Sequence, residues 1–163
     1  MLMRRRFFSC TLLKVFCLVL IAMMLGAVNG CVLKPPPPPD PSRFVPQGDW
    51  AILDTKTGLY WEVKTWNNHT QTMTWAEAKA YCKNLKLGGY QDWRLPKPKE
   101  LKTLFDLNFV PTIRPGLFKY PQTWCWSANW DVLSSEAFYA DFTSGKIRNA
   151  HRKTSFSVRA VRK

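Results

Sequence analysis

Acids are scarce in this chain. Its 163 residues hold 11 Asp and Glu against 24 Lys and Arg, a formal charge of +13, which excludes an acidic, cation-binding surface or tail. Histidine occurs only at His69 and His151, far apart and with no neighbouring cysteine or paired carboxylate. Metal binding is therefore poorly supported, and neither a metal nor another cofactor is expected. The eight glycines build neither a phosphate-cradling loop nor a Gly-Xaa-Ser-Xaa-Gly elbow. No cysteine has a histidine beside it to activate a thiolate, so a catalytic nucleophile is missing. Asp92, Glu100 and Asp106 could gather around one helix, yet they read better as surface acids and a turn ligand. An enzyme is not expected. A content of 46% hydrophobic and 21% charged residues excludes disorder and collagen, and the length allows one domain of ordinary size.

What is present begins with an address. Arg4, Arg5 and Arg6 form a positive n-region, and Leu12, Leu13 and the run from Val15 to Leu25 an apolar h-region, shorter than the ~20 residues of a spanning helix. Val28-Asn29-Gly30-Cys31 resembles a bacterial lipobox, in which cleavage precedes Cys31 and the thiol carries diacylglycerol. Residues 1–30 thus read as a lipoprotein signal peptide; a plain signal peptide or membrane anchor, with Cys31 incidental, is the alternative. Each buried methylene of such a lipid adds about 0.8 kcal/mol of membrane affinity. Val32, where an aspartate would retain the protein at the inner membrane in enteric-type sorting, points to the outer membrane. Pro35 to Pro39 and Pro41 favour extended polyproline II, so residues 31–48 read as a tether and 49–163 as the folded domain.

Only Cys82 and Cys125 belong to that domain. In an exported protein such a pair reads as a disulfide rather than a metal site. The domain itself reads as strands around two helices. Trp50–Leu53 and Leu59–Val63, separated by a polar turn ending at Gly58, predict a hairpin. Thr74 and Glu77 form a capping box, and Trp75, Ala78, Cys82 and Leu85 share one face of a helix over 75–86, ended by Gly88-Gly89. Pro98 opens a second helix whose inward face is Leu101, Leu104 and Phe105. Residues 107–123 carry three prolines without periodicity and read as a long loop. Strands follow around Trp124–Ala128, Ala137–Phe142, Lys146–Arg148 and Phe156–Val161. This count of elements defines an α+β domain.

Several blocks now carry a resemblance. Thr57-Gly-Leu-Tyr-Trp61, Trp75-Ala-Glu-Ala78 with Tyr81-Cys82, Asp92-Trp-Arg-Leu-Pro96 with Lys99-Glu-Leu101, Trp126-Ser127, Phe142-Thr-Ser-Gly145 and Val158-Arg-Ala-Val-Arg162 follow in order. The chain resembles the Lcl C-terminal domain family, named for the terminal module of a bacterial collagen-like adhesin, over about residues 50 to 162. The resemblance implies a fold related to C-type lectins and the formylglycine-generating enzyme, with two helices and several short antiparallel strands. It also implies attachment to sulfated polysaccharides. Family members often carry a cysteine where Ala160 stands, so Cys82 is left to pair with Cys125 or to remain reduced; the pairing Cys82–Cys125 is the expectation. The calcium-ligand triplets of true lectins are missing, and calcium-dependent sugar binding does not follow.

Binding is the class the charge favours. Lys146, Arg148, Arg152, Lys153, Arg159, Arg162 and Lys163 stand with His151 in the last eighteen residues, where no acid occurs. Such a stretch makes a positive field that attracts polyanions. Lys146, Arg148, His151, Arg152 and Lys153 are the expected contacts, with Trp124 and Trp130 offering faces for stacking or cation–π contacts. On a lipid-anchored exported protein the partner would be a sulfated or phosphorylated glycan, or a membrane headgroup, rather than nucleic acid. A rival reading is an assembly module that docks on another envelope protein through an aromatic face. A merely solvated basic strand is the bland alternative.

Overall fold

A computed structural model describes residue 40, residues 42–109, 111–114 and 116–163. The signal peptide, Cys31 and most of the tether lie outside the described residues. Seven strands and two helices follow in chain order: β1 (Phe44–Gln47), β2 (Ala51–Asp54), β3 (Leu59–Glu62), α1 (Trp75–Asn84), α2 (Pro98–Lys102), β4 (Trp124–Asp131), β5 (Glu136–Asp141), β6 (Lys146–His151) and β7 (Val161–Arg162). They form two antiparallel sheets, β1-β2-β3-β7 and β4-β5-β6. The domain is a small mixed α/β unit, and among the described residues no helix is long and apolar enough to cross a membrane.

The hairpin β2–β3 forms where the sequence places it, and Gly58 supplies the positive φ of 69° that its turn requires. The sheet starts earlier than the sequence implies. Phe44–Gln47, assigned above to the tether, pairs with β2 from Phe44 opposite Asp54 to Gln47 opposite Ala51. Pro46 hid this strand, yet β1 is an edge, where a residue without an N–H is tolerated. Arg43 anchors its start through two hydrogen bonds to the buried Asp54 carboxylate, at 2.9 and 2.8 Å. The final strand is shorter than expected. Phe156 and Ser157 make only single bridges, to Met73 and Cys125, and β7 holds two residues.

Alternation along the strands builds the core in two halves. Ala51, Trp126, Ala137 and Ala160 face one cluster, with Trp75, Ala78 and Cys82 of α1 and with Trp93 and Leu95. Ile52, Cys125, Ala140 and Val161 face the other, with Leu101 of α2, Leu104, and Ile113 and Phe118 of the long loop. That loop is thus core-forming. Thr112 ties it to β5 by donating both its N–H and its hydroxyl to the Phe142 carbonyl, at 2.6 and 2.8 Å.

The capping box of α1 is complete: Glu77 Oε2 accepts from Thr74 N at 2.8 Å and from Thr74 Oγ1 at 2.7 Å. Thr74→Ala is expected to cost about 0.5–2 kcal/mol in urea unfolding, with no change in the slope of the transition. α1 ends at Asn84, before the glycines assigned to its C-terminus. Gly88 serves a different purpose. A Cβ there would lie 2.5 Å from the Trp50 ring, and its φ is +64°.

Candidate functional site

The basic residues of the last eighteen positions do not act as one surface. Arg159 is interior: its guanidinium donates to the Glu62 carbonyl at 2.5 Å, to the Tyr120 carbonyl at 2.9 Å and to Gln122 Oε1 at 2.7 Å, with the Phe118 ring 3.7 Å away. Arg162 is bound to Asp92 at 2.8 Å and lies 3.7 Å from the Tyr90 ring. Strand alternation on β6 puts Lys146 and Arg148 on one face and His151 on the other. Arg148 donates to Asp141 Oδ2 at 3.1 Å. Burial works to raise the Asp141 carboxyl, but hydrogen bonds from Thr143 and Ser144 outweigh it and bring the pKa down to about 2. Asp141 therefore stays ionised and holds part of the Arg148 charge.

What remains together is a groove of about 390 Å³ lined by Thr74, Trp75 and Ala76 of the α1 entry, Ser135, and His151, Arg152 and Lys153. Arg152 lies with its guanidinium carbon 4.3 Å from the Trp130 ring centre and 6.0 Å from that of Trp75. Two features aim it. Its carbonyl accepts from Trp75 N at 3.0 Å, and its Nε donates to the Ser135 carbonyl at 3.3 Å. Ser135 holds a left-handed φ of 57° in the β4–β5 turn, which directs that carbonyl. Lys153 and His151 are exposed beside it, although Glu136 stands opposite His151 across the strands. Trp130, 38% exposed, does not line this groove but adjoins it through Arg152, whereas Trp124, 45% exposed, packs tilted against Phe156 elsewhere. Of the residues expected from sequence, His151, Arg152, Lys153 and Trp130 are thus brought together, and Lys146, Arg148 and Trp124 are not.

The acids once grouped around α2 serve separate partners. Glu100 takes Arg94 in two hydrogen bonds at 2.8 and 2.7 Å and accepts from Lys97 N at 2.7 Å. Asp92 binds Arg162, and Asp106 accepts from Asn108.

Cys82 and Cys125 are both free and buried. The expected disulfide is absent because the two thiols belong to different halves of the core: Cys82 packs with Trp126, while Cys125, next to it in the strand, points to the opposite face. Burial pushes the Cys82 thiol up to about 12 and that of Cys125 up to about 11. Neither is a nucleophile at neutral pH. With an aromatic disulfide reagent at pH 8, peptide mapping is expected to find both unlabelled in the native protein and labelled after denaturation. Rapid native labelling of either would mean that the core opens around it.

Sequence reasoning missed two features. One is a buried ionic group. Glu62 accepts from Lys64 Nζ at 2.8 Å, from the Tyr81 hydroxyl and from Ala160 N at 2.8 Å, with Arg159 on its carbonyl. Its signal was legible, since Glu62 closes an otherwise apolar strand and Lys64 follows two positions on. The other is a surface aromatic group. Trp66 is 73% exposed and its ring lies 5.0 Å from that of His69, which stacks on Tyr120 at 4.4 Å. No spacing signal joins residues fifty positions apart.

Two antiparallel sheets and two helices make a small mixed α/β domain with a cationic groove at the entry of one helix. The chain belongs to the Lcl C-terminal domain family, whose pattern matches residues 51–162. No curated protein matches it. The most specific sequence blocks meet in space: Arg94 and Val161 exchange backbone hydrogen bonds at 2.9 Å, and Asp92 binds Arg162.

Proposed function

We propose that the chain is an exported, lipid-anchored lipoprotein whose non-enzymatic domain, of the C-type-lectin and formylglycine-generating-enzyme type, binds a polyanionic glycan at the cell envelope. The observation that carries this reading is Arg152, poised over Trp130 at the mouth of the groove. A guanidinium there offers a planar fork to a sulfate or phosphate, and the indole edge offers a stacking surface to the sugar that bears it. Lys153 and His151 extend the positive field; Lys146 and Arg148 contribute at longer range. The anchor is Cys31, the segment up to Pro41 the spacer, and the outer membrane the expected location, with nucleic acid not a partner in that compartment.

Heparin titrated against the protein is the test. Arg152→Glu with Lys153→Glu is expected to weaken binding about a hundredfold, one half-buried and one exposed charge each reversed in sign. Arg148→Glu should weaken it less, because Asp141 already holds that guanidinium. Binding should fall steeply between low and physiological salt, where the screening length contracts to about 8 Å. Unchanged affinity in the double variant would overturn the reading. A second reading, docking on another envelope protein, is favoured by Val132 and Leu133 at the exposed β4–β5 turn and by Trp124; such contact would be insensitive to salt.

A further inference from the structure

A second cavity lies away from that groove. It holds about 450 Å³, within the range of about 300–1,000 Å³ typical of small-ligand clefts. Its floor is apolar: Trp93 and Leu95, both buried, with Ala80 of α1 and Ala128 of β4. Its rim is cationic. Lys79 and Lys83, one turn apart on α1, stand on one side and Lys97 on the other. The remaining charges of the lining are neutralised within the fold, Asp92 by Arg162 and Arg94 by Glu100. Among the described residues none of the three lysines forms an ion pair. All three side chains are exposed, and their aliphatic stems can extend the apolar wall; the Lys79 ammonium lies 4.8 Å from the centre of the Trp75 ring.

An apolar trough ringed by three uncompensated cations suits a ligand with the converse distribution. We propose that this cleft binds a single-chain anionic amphiphile, its alkyl chain lying on Trp93, Leu95 and Ala80 and its phosphate or carboxylate head held between Lys79, Lys83 and Lys97. The size admits one short chain rather than the paired chains of a bilayer lipid. The occupant is a dispersed amphiphile, not a membrane surface. The site shares no residue with the groove of Arg152, so the two activities are separable.

Calorimetry on the full chain with decyl phosphate, below its micellar concentration, tests the proposal. Saturable one-to-one binding is expected, about tenfold or more weaker for decanol and undetectable for inorganic phosphate, since head and chain are both required. Lys79→Glu with Lys83→Glu should weaken decyl phosphate binding about tenfold or more, and Ala80→Trp, on the exposed face of α1, should block the chain while leaving the urea unfolding midpoint and heparin affinity unchanged. Equal affinity for decanol, equal affinity for inorganic phosphate, binding only to phosphatidylglycerol vesicles, or undiminished binding in a folded Ala80→Trp variant would each overturn it. Loss of heparin binding with decyl phosphate binding intact would touch only the glycan reading.

Discussion

Glu62→Ala is expected to destabilise the domain by about 3–5 kcal/mol, the cost of leaving buried charge uncompensated. The Lys64 and Glu62 side chains are 2% and 1% exposed, and burial drives the Lys64 pKa down, with Glu62 the main group restoring its charge. Arg159 adds a second buried cation, its own pKa lowered by burial. Deleting the carboxylate strands the Lys64 ammonium, the Tyr81 hydroxyl and the Ala160 N–H at once, and removes the negative charge facing Arg159, which keeps its bonds to the Glu62 and Tyr120 carbonyls and Gln122. Against a typical stability of about 5–15 kcal/mol this is a large fraction. Urea unfolding would show the midpoint falling with the slope unchanged. Adding Lys64→Met should recover part of the loss but not all, because Arg159 remains. A loss below about 1 kcal/mol in the single variant would mean that the carboxylate does not hold this cluster together.

Trp126→Ala is the second large effect, about 3–5 kcal/mol. The side chain is fully buried, its ring packs 4.7 Å from Phe156 and edge-on to Tyr139, and its Nε1 donates to the Met73 carbonyl at 2.8 Å. Truncation removes the centre of one core half and leaves that carbonyl with the Phe156 N–H alone. Trp124→Ala, two residues away on the same face of β4 but 45% exposed at its end, should cost less than about 1.5 kcal/mol. Thermal melts of the pair make the comparison. Equal losses would contradict the difference in burial that separates a structural indole from a surface one.

Much of the local structure was written locally. The hairpin at Gly58, the cap at Thr74, the start of α2 at Pro98 and the β5–β6 turn each depend on residues within a few positions, and each forms as expected. The misses share a cause. Pro46 argued against a strand because nothing near it says that β1 is an edge. Gly88-Gly89 resembled a helix end, but the close approach of Trp50 is what requires Gly88. Cys82 and Cys125 invited a bond, yet which side of the strand layer a thiol faces depends on how α1 packs.

The candidate site shows the same division. Eighteen residues free of acid announced a positive end to the chain, and the charge is real. Local sequence does not decide which of those cations meets solvent. Arg159 is drawn inward by Glu62 and Gln122, Arg162 is taken by Asp92, and Arg148 is shared with Asp141. Composition and nearest-neighbour chemistry alone determined an address-like N-terminus, a mixed domain of two helices and short strands, a family and a cationic excess. Tertiary packing alone decided that Arg152 and Lys153 share a groove with Trp75, with Trp130 against Arg152, and that three lysines stand around an apolar cleft. Charge is carried by each residue wherever it stands, but its availability depends on partners brought from distant positions by the burial of the core.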